Sequence, residues 1–211
     1  MTFDSEPLVR HIWREVEATR DMTAGQHVLM PDIIETERRP NESRFSDAFP
    51  VMRHWATALE LAKAHRLAGL TEAIAEAAPN LRWSQNASYN DSNCSRAFLD
   101  GYAYASLAGP DVALTWAAPR TGVMLMGPDV LYPGHNHAAR EIYMLLTPGA
   151  EWRLDNGDWF SVNAGDLIFH DSWRMHEMRT GDAPMLAIAA WIDDGDRRSI
   201  QWDSDRKGAI R

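Results

Sequence analysis

In the run Tyr132-Pro133-Gly134-His135-Asn136-His137-Ala138-Ala139-Arg140-Glu141-Ile142-Tyr143, two imidazoles, a carboxylate and a phenol stand at even separations: His135, His137, Glu141 and Tyr143. In an extended chain, residues two apart share a face, so these groups can point at one ion if no bulge intervenes near Ala138 and Ala139. His176, on a different strand and near a turn, can complete the set from across a barrel. Three imidazoles and one carboxylate form a borderline nitrogen and oxygen site. It suits Fe(II), Mn(II), Zn(II), Ni(II) or Co(II), and is poor for Ca(II) or Cu(I). A His-x-His pair alone more often means two partly exposed or hydrogen-bonded histidines than a metal site. Glu141 four residues on, and Gly165-Asp166 separated from His176 by nine residues, favour the ligand set.

From Val112 onward, short β-branched and aromatic runs broken by Gly, Pro, Asn and Asp must position these groups. Strands are predicted over Val112–Ala117, Gly122–Met126, Glu141–Leu146, Leu167–Phe169 and Met185–Ile192. Glu151–Asp155 and Asp158–Val162 flank Asn156-Gly157, a pair that favours the type I′ turn of a hairpin. About eight short strands in ~100 residues are the spacing of a sandwich or closed barrel. The first half reads differently. Val9, Ile12, Trp13 and Val16 lie on one face of a helix over 4–20, capped by Asp4 or Ser5 with Pro7 in its first turn. Further helices are predicted over Phe49–Leu67 and Leu70–Ala78, the latter closed by Pro79 and Asn80. Met22–Ser46 and Ser84–Ser95 have loop composition; the second could flank a site, but a solvated connector is the commoner use of such composition. The expected organisation is one folding unit: a mainly helical portion, 1–106, packed on a β-barrel, 107–211, that carries the site.

Bulk properties narrow the ligand. The chain has 211 residues, 45% hydrophobic and 24% charged, values ordinary for a soluble globular fold with a real core. A net charge of −9 disfavours nucleic acid and anionic membrane surfaces, which need clustered Lys and Arg, so a small molecule is the expected partner. There is no run of 18 apolar residues and no basic-then-apolar leader, so neither a spanning helix nor a secretory signal is expected. Cys94 is the single cysteine, which excludes an internal disulfide and a thiolate cluster and points to the cytoplasm. The Asn-X-Ser triplets at Asn41, Asn86, Asn90 and Asn93 therefore read as polar loop composition rather than glycan acceptors.

The histidine pair, Glu141, Gly149, Gly165 and His176 together resemble the two motifs of the cupin superfamily, Gly-x5-His-x-His-x3/4-Glu-x6-Gly and Gly-x5-Pro-x-Gly-x2-His-x3-Asn. The fold this implies is mainly β, a cupin (double-stranded β-helix, jelly-roll-like) barrel with a helical N-terminal portion. Departures fall on turn positions: Asp171 and Trp173 stand where Pro and the second Gly are usual, Thr180 replaces the last Asn, and Gly127 lies too far ahead of His135. More narrowly, Tyr132–Tyr143 followed by His176 and Trp191 resembles the cupin-type lyases that cleave dimethylsulfoniopropionate (DMSP) to dimethyl sulfide and acrylate. That resemblance implies one divalent metal ion (Fe2+, Zn2+, Mn2+ or similar) on His135, His137, Glu141 and His176. It also implies Tyr143 as the base of a β-elimination, and Tyr132 and Trp191 as aromatic contacts to the substrate, whose sulfonium suits a ring face. Cupin pairing through sheet edges implies a homodimer, although the N-terminal helices could cover one edge instead. The same ligands on Fe(II) would also serve a dioxygenase, and the fold alone would serve a non-catalytic binding protein.

Overall fold

The computed structural model describes residues 4–22, 43–45, 48–109, 120–192 and 200–203. The predicted strand over Val112–Ala117 and most of the Met22–Ser46 connector lie outside the described residues. The helices are α1 (Glu6–Met22), α2 (Trp55–Lys63), α3 (Ala68–Ala77) and α4 (Arg96–Gly101). The strands are β1 (Ser43–Phe45), β2 (Trp83–Asn86), β3 (Tyr102–Ala108), β4 (Arg120–Met126), β5 (Leu131–Asn136), β6 (Glu141–Leu145), β7 (Ala150–Leu154), β8 (Phe160–Val162), β9 (Leu167–His170), β10 (His176–Thr180), β11 (Met185–Trp191) and β12 (Gln201–Trp202). They form a seven-stranded sheet in the order β1-β2-β3-β4-β11-β6-β9 and a five-stranded sheet in the order β12-β5-β10-β7-β8. All pairings are antiparallel. This is the cupin-like barrel with N-terminal helices that the sequence implies.

The larger sheet is buried on both faces, which is why its central strands read as unbroken apolar runs. Val123, Leu125, Ile142, Met144, Leu186 and Ile188 pack in one cluster with Ile12, Trp13, Val16, Leu70 and Ile74 of the helices. Alternate residues, Met124, Met126, Tyr143, Leu145, Ala187 and Ala189, pack in a second cluster with Trp152 and Met178 of the smaller sheet. Period-two alternation thus assigns each side chain of β4, β6 and β11 to the helix layer or to the barrel interior. The helices are tied down by polar contacts as well. Trp13 Nε1 donates to Thr121 Oγ1 at 3.2 Å and Ser5 Oγ to the Leu107 carbonyl at 2.6 Å. Asp4 Oδ1 accepts from the Glu6 N–H at 3.0 Å, which satisfies one of the unpaired N–H groups at the start of α1.

Several expectations are corrected. The first half is less helical than its composition suggests, because β1, β2 and β3 extend the larger sheet. Ser84–Ser95 is no solvated connector: Ser84–Asn86 belong to β2, and Tyr89 and Cys94 are buried. The 49–67 helix divides into a 3₁₀ turn over Pro50–His54 followed by α2. The hairpin after β7 is present, but its turn is one residue early. Asp155 and Asn156 carry the positive φ values, 50° and 62°, and Gly157 N closes the turn on the Leu154 carbonyl at 2.8 Å. Asp and Asn tolerate the left-handed region, so the glycine is spared for the exit.

Candidate metal centre

His135 ends near the tip of β5 and His176 opens β10; the two are direct partners across that antiparallel pair, with ring centroids 4.2 Å apart. His176 therefore comes from the neighbouring strand, and not from across the barrel. Glu141 opens β6 in the other sheet, because the chain bends at Ala138 and Ala139 and crosses between sheets after His137. The unbroken extended segment assumed for His135 to Tyr143 is thus not what unites them. Sheet crossing brings a carboxylate from one wall against imidazoles from the other.

Each imidazole is oriented by its own backbone. Nδ1 of His135 lies 2.9 Å from the Pro133 carbonyl, Nδ1 of His137 2.9 Å from the Ala139 carbonyl, and Nδ1 of His176 2.8 Å from the Arg174 carbonyl. A carbonyl only accepts, so each Nδ1 carries a proton, and the Nε2 of a neutral ring presents a lone pair inward. The ligand nitrogens of His135, His137 and His176 lie within 4.8 Å of one another. Glu141 Oε2 is 3.2 Å from His137 Nε2 and 3.4 Å from His176 Nε2. All four residues are buried.

Acceptor atoms facing one another in a dry interior repel unless a cation or a proton lies among them. A proton on His137 Nε2 would satisfy Glu141, but His176 Nε2 is buried and has no hydrogen-bond partner among the described residues. Burial and the neighbouring imidazoles push His135 down to about 3 and hold His176 well below the ordinary histidine value, so both stay neutral near pH 7. For Glu141, burial pushes up, but hydrogen bonds from His137 and His170 and the imidazole charges prevail and hold it ionised. The donor set of three imidazoles and one carboxylate, with carbonyl-anchored second nitrogens, fits a divalent transition metal.

Two residues that sequence reasoning missed complete the surroundings. His170, the last residue of β9, pairs in register with Glu141, and its Nδ1 lies 3.3 Å from Glu141 Oε2. Trp152 Nε1 donates to His170 Nε2 at 3.0 Å. Nothing in the local sequence reveals that β9 neighbours β6. On the other side of Glu141, Trp191 on β11 donates its indole N–H to Oε1 at 2.8 Å, and its ring lies 4.5 Å from that of His137.

A cleft of about 620 Å³, its open mouth included, runs from this cluster and is lined by His135, His137, Glu141, Tyr143, Tyr132 and Trp191, among others. The three aromatic residues singled out in the sequence therefore share one cavity with the acceptor cluster. Tyr89, Tyr102 and Tyr104 line it too. Tyr89 and Tyr132 share a 2.6 Å hydrogen bond between hydroxyls, and Tyr132 stacks on His135 at 4.4 Å. The lone aromatic in the Ser- and Asn-rich loop was the signal for Tyr89. Burial first, then the Glu141 carboxylate, pushes the Tyr143 phenol well above its ordinary value, so it is protonated in the metal-free protein.

Against known proteins, the family model for dimethylsulfoniopropionate lyase matches residues 23–187. The chain is 29% identical over 127 residues to dimethylsulfoniopropionate lyase DddQ of Ruegeria pomeroyi, a stretch that covers 60% of this chain and 62% of that protein, less than two thirds of its length. It is also 30% identical over 83 residues to a gentisate 1,2-dioxygenase of Streptomyces, across 38% of this chain and 22% of that one. Among solved structures, DddQ of Ruegeria pomeroyi superposes with a TM-score of 0.68 at 22% identity, covering 94% of this chain and 95% of that one. A chain from the crystal structures of the DMSP lyases RdDddP and RnDddQII gives the same TM-score and identity, covering 95% and 100%. At that identity the superpositions speak to the fold.

Proposed function

The chain belongs to the dimethylsulfoniopropionate lyase family, and on that footing we propose that it is a metal-dependent carbon–sulfur lyase that converts DMSP to dimethyl sulfide and acrylate. The observation that carries the reading is the convergence of four acceptor atoms, from His135, His137, Glu141 and His176, with two of the imidazoles held neutral. These residues would hold one divalent ion, Fe2+, Zn2+, Mn2+ or similar. Such an ion, when bound, supplies the positive charge that neutralises the substrate carboxylate and favours loss of the adjacent proton.

The protein's own groups account for the rest. In the elimination a base takes a proton from the carbon next to the carboxylate. The carbon–carbon double bond of acrylate forms, the carbon–sulfur bond breaks, and its electron pair leaves with sulfur as neutral dimethyl sulfide. Tyr143 is the proposed base, since it lines the cavity two residues from Glu141 on the same face of β6. As a buried phenol it needs positive charge nearby to act so. Tyr132 and Trp191 are the proposed aromatic contacts, whose ring faces suit a sulfonium. With Cys94 as its single, buried cysteine, the proposed compartment is the cytoplasm.

The similarity to a gentisate 1,2-dioxygenase supports a second reading, in which the same ligands hold Fe(II) for oxygen chemistry. Anaerobic incubation with DMSP separates the two. The lyase releases one acrylate per dimethyl sulfide without oxygen, and Tyr143→Phe abolishes turnover while metal content is retained. An absolute oxygen requirement, or full activity in Tyr143→Phe, overturns the elimination with Tyr143 as base.

A further inference from the structure

We infer that His170 is a positioning residue for Glu141, fixed in one tautomer by Trp152, and not itself a ligand of the metal. The inference rests on the proposed metal reading. His170 and Trp152 are fully buried, on β9 and β7, so their hydrogen bond joins the two sheets. An indole N–H only donates, and it reaches His170 Nε2 at 3.0 Å. Nε2 must therefore offer its lone pair, and a neutral ring then carries its proton on Nδ1. That Nδ1–H faces Glu141 Oε2 at 3.3 Å.

Glu141 is thus held from both flanking strands. Trp191 of β11 donates to Oε1 and His170 of β9 donates to Oε2, and all three residues lie in register across the larger sheet. His170 also stacks on His176, with ring centroids 3.9 Å apart and planes 27° from parallel, so it backs a second member of the acceptor set. Glu141, His170 and His176 do bring donor atoms within 4.8 Å of one another, which by spacing alone would make His170 a ligand. The hydrogen bonds decide against it. A metal at Nε2 would displace the Trp152 N–H, and a metal at Nδ1 would displace the proton aimed at Glu141. Such outer partners fix ligand orientation and basicity, and their loss weakens metal binding by about 10–100-fold.

The test compares Zn(II) affinity, by competition with a chelating dye, in wild type, His170→Phe and His170→Asn, with Co(II) absorption spectra of each. His170→Phe removes the donor and should weaken Zn(II) by about 10–100-fold. His170→Asn can return an amide N–H near the Nδ1 position and should recover most of that loss, with a wild-type Co(II) ligand field. Nitrogen-15 spectra of the metal-free protein should show His170 neutral with its proton on Nδ1, and Trp152→Phe should make the tautomer mixed. A folded His170→Phe with wild-type affinity overturns the inference, as does a His170→Asn spectrum that loses one nitrogen ligand, as His176→Ala should. If His170→Phe does not fold, the nitrogen-15 tautomer decides. If wild type binds no metal at all, the metal reading fails, while the tautomer still reports whether His170 serves Glu141.

Discussion

Lowering the pH should destabilise the metal-free protein well before its carboxylates titrate, and His135 gives the magnitude. In the folded chain its value is about 3, because burial and His137 disfavour the charged ring; in the unfolded chain it returns to 6.5. Between those values the unfolded state binds a proton that the folded state refuses, so stability falls as pH falls from 6.5 toward 3 and is flat above. Each pH unit inside the window is worth about 1.4 kcal/mol. At pH 5 the cost from His135 alone is therefore about 2 kcal/mol relative to pH 8. His170 and His176 are depressed for the same reason and act in the same direction. Glu141, held well below 4.5, adds its own loss only as pH drops beneath that value. Urea unfolding of chelator-treated protein at pH 8, 6 and 5 measures the effect, with the denaturant slope as a check that the same transition is followed. His135→Asn should lose about 2 kcal/mol less than wild type between pH 8 and pH 5. Equal stability at the two pH values, or the same pH dependence in His135→Asn, would refute the claim that these imidazoles are held neutral.

Three further outcomes follow from the geometry. Trp173, where the family motif usually has glycine, is 46% exposed and has a φ of 61°. Trp173→Gly and Trp173→Ala both delete the indole, but only the glycine relieves the left-handed backbone, so Trp173→Gly should unfold at ~1 kcal/mol higher stability than Trp173→Ala. A methyl on Gly122 would overlap the Ala105 carbonyl and the Tyr104 ring, with the Tyr104 hydroxyl 2.6 Å away. Gly122→Ala should cost about 1–3 kcal/mol in urea unfolding and raise KM by displacing Tyr104 from the cleft. Glu141→Gln removes the only anion among the four acceptors. Wild type in metal at 100 times Kd should gain about 2.7 kcal/mol, or ~5–11 °C in Tm, and Glu141→Gln should show little of that shift in a thermal scan.

The acceptor cluster was legible because its members lie on alternate positions or at motif spacing, which local sequence records. His135, His137, Glu141 and His176 could be named without knowing any strand order. The reason they converge could not. Glu141 reaches the imidazoles because the chain changes sheets at Ala138 and Ala139, and His176 because β10 pairs with β5. His170 and Trp152 were invisible for the same cause, since their roles depend on β6 lying beside β9 and on the two sheets facing each other. Helix propensity in the first half was real, but strands such as Tyr102–Ala108 carry alanines that tertiary pairing overrides. The motif departure at Trp173 proved informative: the left-handed backbone expected of a glycine persists there under a bulky side chain.

The account turns on one dependence, that of DMSP cleavage on an ion held by His135, His137, Glu141 and His176. Chelator-treated protein titrated anaerobically with Mn(II), Fe(II) or Zn(II), with dimethyl sulfide read in the headspace, tests it directly. Release should rise from near zero with at least one of these metals and reach its plateau at one ion per chain. Full activity in the metal-free protein, or a metal-loaded protein that releases no dimethyl sulfide, would contradict it.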